Sequence, residues 1–180
     1  MTQNADITLT DCFVPDRNKL TYSKDFATGT NKILESSRLM VAWSAAGVAS
    51  GAYEAAIKYT TQRVQFGKPI AGFQLIQERL SRMMANCEFT ISNLARISQQ
   101  FDLGKVTIGQ IARAKANATR VGRETCAIAR ESFGGNGILL ENQVMKAMGD
   151  MEVMYTYEGT YDINMLVSGR ELTGGMAAFK

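Results

Sequence analysis

The chain has 180 residues, a net charge of +3 and no histidine. Its length fits one domain with a core of its own, or part of a larger protein. The charge is too small to favour nucleic acid or an anionic membrane as a partner, although it would suit one anionic ligand. Without histidine, Ser-His-Asp triads and histidine-containing zinc sites are excluded, and the sequence predicts no metal site.

The cysteines and the apolar runs indicate an intracellular protein. Cys12, Cys87 and Cys126 lie far apart and form no CxxC motif, which is typical of buried thiols in a reducing compartment. Residues 39–53 are the most apolar run, and about fifteen mostly small residues are too few to span a bilayer. The first residues do not form a signal peptide.

The chain opens on a predicted strand. Residues 7–14 have the sequence Ile-Thr-Leu-Thr-Asp-Cys-Phe-Val and end at Pro15, but a single strand cannot bury itself. Either it packs alone on helices, or it is the last strand of a sheet domain whose other strands lie outside this sequence. We favour the second interpretation because everything that follows predicts helix. Residues 16–31 are polar and predict a linker.

Two long helices come next. The first, over about residues 32–62, is rich in small residues that permit close packing against neighbouring helices. In a helix interior Gly47 and Gly51 each lower the stability by roughly 1 kcal/mol relative to alanine, and packing must offset this loss. The second covers about residues 73–102. Its buried seam repeats at alternating spacings of three and four, as in an antiparallel bundle: Phe73, Ile76, Leu80, Met83, Cys87, Thr90, Leu94, Ile97 and Phe101.

The third long helix begins at a capping box, Thr107 to Gln110, and reaches about Ser132. It is alanine-rich, and Gly122 predicts a close contact. We expect its charges to lie on a solvated face, although some could hold an anionic cofactor; they are Arg113, Lys115, Arg120, Arg123 and Arg130. A stripe of this kind without interleaved aromatic residues does not favour nucleic-acid binding.

A shorter helix over about residues 141–148 leads to a loop, Tyr155 to Asp162, and a last helix over residues 163–172. Thr160 is a good N-cap for that last helix. The loop places Glu158 between Tyr155 and Tyr157, whose rings would shield a carboxylate that accepts protons. The residue types alone favour a simpler interpretation, in which Glu158 is exposed and the tyrosines pack a corner.

Four segments, in this order and spacing, resemble the carboxyl-terminal half of an acyl-CoA dehydrogenase or acyl-CoA oxidase: Ser37-Arg38, Arg63-Val64-Gln65-Phe66-Gly67, Phe133-Gly134-Gly135-Asn136-Gly137 and Tyr157-Glu158-Gly159-Thr160. Residues 156–163 and 169–174 are most similar to glutaryl-CoA dehydrogenases and short-chain acyl-CoA oxidases. The resemblance implies an all-α antiparallel helical bundle over residues 31–180. It implies that residues 1–30 are the end of a middle β domain and a linker.

The resemblance also implies a chemistry, the α,β-desaturation of an acyl-CoA thioester. Glu158 would remove the α-proton, its backbone N–H would polarise the thioester oxygen, and FAD would accept the β-hydride. Arg38, Tyr157 and Gly159 would contact the substrate.

Further residues are implied as contacts of FAD. Arg63 would bind the pyrophosphate, because its planar five-donor fork suits paired phosphate oxygens. The other implied contacts are Gln65, Phe66, Gln74, Glu131, Ser132, Phe133, Gly134, Gly135 and Thr160. In the family several of these reach the FAD of a neighbouring subunit, so a homo-oligomer, commonly a tetramer, is expected.

Several alternatives stay open. The electrons could pass to an electron-transfer flavoprotein, as in a dehydrogenase, or to oxygen, as in an oxidase. The compartment would be cytoplasmic, or the mitochondrial matrix or peroxisome in a eukaryote. The seam on the second helix also suits a non-catalytic helical oligomerisation module, which would form oligomers without flavin. Because the β domain is not in this sequence, we expect residues 1–180 alone to bind FAD weakly and to lack turnover.

Overall fold

The computed structural model describes residues 4–175. Within that range the chain forms five α-helices: α1 (Phe26–Gln62), α2 (Gln74–Asp102), α3 (Ile108–Ser132), α4 (Val144–Thr156) and α5 (Tyr161–Leu172). A two-stranded antiparallel hairpin, β1 (Val64–Gln65) and β2 (Lys68–Pro69), joins α1 to α2. The predicted all-α fold is confirmed. None of the helices in residues 4–175 offers a stretch of the length and hydrophobicity needed to traverse a bilayer.

The predicted strand at residues 7–14 is wrong for this structure. These residues form no strand and their side chains are exposed, with Phe13 at 87%. A strand exists through its hydrogen-bonded partner, and the strand pairing among residues 4–175 involves β1 and β2 and not this segment. The division of the chain at residue 30 stays a prediction.

Local capping explains where the helix ends differ from prediction. α1 begins at Phe26, earlier than expected, because Asp25 and Thr28 form a capping box in which each side chain bonds the other's backbone N–H. α4 begins at Val144, later than expected, because the left-handed Gln143 ends a preceding 3-10 turn. The capping box at Thr107 is confirmed.

α3 is the centre of the bundle, since it packs against each of the other four α-helices. Its small side chains allow this, and a methyl group added at Gly122 would lie 2.6 Å from Cε of the buried Met151 on α4. The predicted close contact at Gly122 is therefore confirmed. The seam on α2 is buried from Met83 to Ile97.

The glycines of α1 behave differently from Gly122. The alanines of this helix form its buried face, whereas a methyl group at Gly47 or Gly51 would meet nothing within 4 Å. The prediction that packing compensates for the low helix propensity of these two glycines is therefore wrong for contacts within this single chain.

Candidate active site

The linker between α4 and α5 holds its backbone in an uncommon conformation. Glu158 has φ of 56° and Gly159 has φ of 85°, so both lie in the left-handed region. For a residue with a side chain this conformation costs roughly 1–2 kcal/mol, so the surroundings of Glu158 must hold it there.

Lys115 on α3 supports the linker from inside the bundle. Its Nζ donates to the carbonyl oxygens of Tyr157 at 2.8 Å and Gly159 at 2.7 Å, with a longer contact of 3.4 Å to Tyr155. The side chain is 0% exposed. Burial lowers the pKa of the Lys115 ammonium to about 8, Arg38 acts in the same direction, and Glu158 opposes both.

Asn164 on α5 provides a second support. Its Nδ2 donates to the carbonyl oxygens of Gly159 at 2.6 Å and Thr160 at 3.1 Å, and more weakly to that of Glu158 at 3.4 Å. A Cβ at position 159 would lie 3.1 Å from this nitrogen. Gly159 is therefore needed both for its φ and for the close approach of Asn164.

α1 supplies the groups that contact Glu158. Ser37 Oγ donates to Glu158 Oε2 at 2.6 Å, and Arg38 Nε donates to the Glu158 carbonyl at 3.3 Å. The carboxylate is half-buried, and Arg38 is only 6% exposed. Burial lowers the pKa of the Arg38 guanidinium, while Glu158 raises it.

The tyrosines do not shield Glu158 in the way the sequence suggests. Tyr155 stacks on Tyr161 with ring centroids 5.5 Å apart, and the Arg123 guanidinium lies 4.3 Å from the Tyr155 ring. The ring of Tyr157 is exposed. The hydrogen bond to the carboxylate comes from Ser37 instead.

A cavity of about 760 Å³ lies at the other end of α1, between the β1–β2 hairpin, the start of α2 and the end of α3. All of the predicted cofactor contacts except Thr160 line it. They are Arg63, Gln65, Phe66, Gln74, Glu131, Ser132, Phe133, Gly134 and Gly135. Thr160 lies instead in the linker, where its side chain caps α5 by accepting from the Ile163 N–H.

The lining of this cavity combines cations with aromatic rings. Arg63 and Arg79 both line it, and Arg79 also forms an ion pair with Glu131 at 3.5 Å. Phe133 stacks on Tyr59 with ring centroids 4.0 Å apart. Guanidinium groups suit phosphate oxygens, and stacked rings suit a flat aromatic ligand.

Lys115 and Asn164 were not predicted as site residues. Lys115 belongs to a set expected on a solvated face, and its burial corrects that expectation. One signal was available: Ala112, Ala118 and Thr119 lie three or four positions away on the same helix face, and that face is buried. For Asn164 we find no comparable signal in the sequence.

Comparison with known proteins agrees with this fold. The family model described as acyl-CoA dehydrogenase, C-terminal domain, matches residues 28–173. Subunit CarC of the caffeyl-CoA reductase-Etf complex from Acetobacterium woodii is 34% identical over 166 residues, which are 92% of this chain and 44% of CarC.

Two solved structures are similar to the chain. Glutaryl-CoA dehydrogenase from Mycobacterium smegmatis in complex with FADH2 has a TM-score of 0.79 at 31% identity, over 83% of this chain and 39% of that one. Butyryl-CoA dehydrogenase from Megasphaera elsdenii has a TM-score of 0.77 at 33% identity, over 79% and 37% of the two chains.

The five-helix bundle, with the Glu158 linker between its last two helices, defines the chain as a helical-bundle domain. Since the matched residues cover most of its length, the chain belongs to the acyl-CoA dehydrogenase family and corresponds to the C-terminal domain. It spans less than half the length of the relatives named above.

Proposed function

We propose that this chain is the domain that carries the catalytic base of an FAD-dependent acyl-CoA dehydrogenase or oxidase, which desaturates an acyl-CoA thioester between Cα and Cβ. The observation that carries the proposal is the linker at Glu158. Its carbonyl groups bond inward to Lys115 and Asn164, and its one carboxylate is held at the surface of the bundle by Ser37.

In this reaction Glu158 accepts the α-proton of the thioester. That proton becomes acidic only when a donor stabilises the charge that develops on the thioester oxygen, and in this proposal the backbone N–H of Glu158 acts as that donor. Ser37 orients the carboxylate through its 2.6 Å hydrogen bond. Tyr157 and Gly159 line the substrate.

Arg38 remains a proposed substrate contact. Arg38 is almost fully buried and donates a hydrogen bond to the Glu158 carbonyl, so it also helps to support the linker.

The cavity beside the hairpin fits the adenosine diphosphate part of FAD. Arg63 would bind the pyrophosphate, and the aromatic rings with the backbone of Gly134 and Gly135 would hold the adenosine. When bound, FAD supplies the acceptor for the β-hydride. Thr160 would contact FAD at the Glu158 end.

The two parts of the proposed site are too far apart on one chain to share a cofactor. At ~1.5 Å per helical residue, Arg38 and Arg63 lie roughly 37 Å apart along α1. We therefore propose a homo-oligomer, commonly a tetramer in this family, in which the cavity of one chain and Glu158 of another serve the same FAD. The exposed apolar side chains of Phe89 and Leu166 are consistent with such contacts.

For the electron acceptor we propose an electron-transfer flavoprotein, because CarC is named as a subunit of an Etf complex. Oxygen is the acceptor in the oxidase alternative. Measuring reduction of each acceptor by the acyl-CoA-reduced enzyme separates the two.

Replacing the proposed base tests the function directly. In the complete FAD-loaded enzyme, Glu158→Gln should abolish exchange of the substrate α-proton with D2O, because the amide cannot accept a proton, and should leave flavin absorbance intact. Glu141→Gln, at an exposed carboxylate in a turn before α4, is the matched control and should exchange at the wild-type rate. Exchange that persists in Glu158→Gln would remove Glu158 from this role.

A further inference from the structure

We propose that Lys115 is a positioning residue that polarises the peptide group carrying the Glu158 N–H. It thereby strengthens the donor to the thioester oxygen. The inference rests on the proposed function and adds to it a buried cation that does not touch the substrate.

The geometry of one peptide unit carries the argument. Tyr157 C=O and Glu158 N–H belong to the same peptide group, which is planar and trans, so the two bonds point in opposite directions. Lys115 Nζ holds the carbonyl at 2.8 Å from inside the bundle. The N–H therefore points away from Lys115, and it has no acceptor among residues 4–175.

A lysine does more here than a neutral donor would do. Hydrogen bonds from an ionised donor are about twice as strong as neutral ones. A carbonyl that accepts such a bond shifts electron density within its peptide group, which makes the N–H at the other end a better donor; cooperative effects of this kind reach about 10–30% per bond. Full burial keeps water from screening the ammonium.

The remaining bonds of Lys115 explain why this N–H keeps its direction. Nζ also holds the carbonyl of Gly159 at 2.7 Å, while Asn164 holds that carbonyl and the next one along the chain. The peptide group that follows Glu158 carries the Glu158 carbonyl, which accepts from Arg38 Nε at 3.3 Å and more weakly from Asn164 Nδ2 at 3.4 Å. The peptide groups on both sides of Glu158 are thus anchored through their oxygens. The left-handed conformation of Glu158 follows from these anchors.

Isotope-edited infrared spectroscopy tests the proposal. A substrate analogue with a ¹³C thioester carbonyl is bound to the complete FAD-loaded enzyme, and the shift of its C=O stretch from the value in solution reports the strength of the donor. In Lys115→Met that shift should shrink. kcat should fall about 10-fold with little change in KM, which is less than the 10²–10³-fold loss expected for removing a direct donor.

Thr119→Val is the matched control. Thr119 lies one turn along α3, is also 0% exposed, and its hydroxyl bonds only carbonyls of its own helix. This variant loses a buried polar group but should keep the full thioester shift. If Lys115→Met also keeps the full shift, or if both variants lose it equally, the proposal is wrong.

A measurement on the unaltered enzyme covers the case in which Lys115→Met does not fold. The charged groups that act on Lys115 are Arg38 from α1 and Glu158 from the linker. As pH rises through about 8, Lys115 loses its proton, and the thioester stretch should move back towards its solution value. A stretch that stays constant from pH 7 to 9.5 would contradict the proposal.

Failure here differs from failure of the proposed function. Glu158→Gln keeps the backbone N–H and should keep the thioester shift while losing α-proton exchange. If α-proton exchange survives in that variant, the assignment of the base falls. If Glu158→Gln loses α-proton exchange but Lys115→Met leaves the shift of the thioester C=O stretch unchanged, only the proposed role of Lys115 is wrong.

Discussion

At the scale of single residues, the site depends on a charged ammonium group in the protein interior, where an isolated charge is energetically unfavourable. Lys115 is fully buried, and three carbonyl oxygens of the linker region replace the water around its ammonium. Placing an ammonium in the protein interior is unfavourable unless such partners compensate. The lowered pKa of Lys115 shows that the compensation is incomplete.

This incomplete compensation predicts a pH dependence of stability. The pKa of Lys115 falls from 10.5 to about 8 on folding, so between these values the unfolded state binds more protons and the free energy of unfolding rises with pH. At 1.36 kcal/mol per unit, the contribution of Lys115 across that window is roughly 3 kcal/mol. Urea unfolding of wild type and Lys115→Met gives the difference in their free energies of unfolding. The change in that difference between pH 7.5 and pH 10.5 measures the contribution of Lys115.

Subtracting the free energy of unfolding of Lys115→Met from that of wild type cancels the contributions of other groups that titrate in the same pH range. If the stability of wild type relative to Lys115→Met stays constant or falls between these two pH values, Lys115 is not held with a lowered pKa.

At the scale of elements, two glycines in long helices have opposite surroundings. A methyl group at Gly47 on α1 meets open space, whereas one at Gly122 on α3 meets the buried end of Met151. Gly47→Ala should stabilise the chain by up to about 1 kcal/mol through helix propensity. Gly122→Ala should destabilise it by about 1–3 kcal/mol through overpacking. Thermal unfolding of the two variants beside wild type measures both.

Each result has its own meaning. A loss of stability in Gly47→Ala would show that another chain packs closely on this face of α1. Unchanged stability in Gly122→Ala would show that Met151 can move aside without cost.

The same scale shows what the sequence could predict. The seam of α2 and the capping box of α3 were found because their signals lie within a few residues of each other. The strand at residues 7–14 was not borne out, because pairing depends on a segment distant in sequence. The burial of Lys115 could have been suspected from its small neighbours on the same face of α3, but its role could not, because that role depends on where the α4–α5 linker packs.

The candidate site divides in the same way. The cavity residues gather on one surface because two predicted interruptions of helix meet there, the one between residues 62 and 73 and the one after residue 132. The contacts around Glu158 instead come from helices α1, α3 and α5. Ser37-Arg38 and the segment Tyr157-Glu158-Gly159-Thr160 were visible beforehand as motifs, whereas Lys115 and Asn164 were not.

At the scale of the whole molecule, the proposed sharing of FAD predicts complementation between variants. Arg63→Ala should lose the cofactor contact at one end of α1, and Glu158→Gln the base near the other. In symmetric pairs formed at random from equal amounts of both chains, about a quarter of the sites combine an intact cavity with an intact base. Co-expressing the complete variant chains and assaying the mixture checks this.

The homogeneous variants serve as controls, and each should be inactive. A mixture as inactive as its components would show that one chain supplies both groups to its own FAD, against the proposed arrangement.

The length of α1 also has a consequence for inheritance. If each chain supplies opposite ends of its first helix to two different catalytic centres, a chain with a broken α1 disables two centres at once. A cell that makes equal amounts of intact and defective chains would then retain clearly less than half of its activity. The loss would exceed the one half that is expected if each centre drew both groups from a single chain.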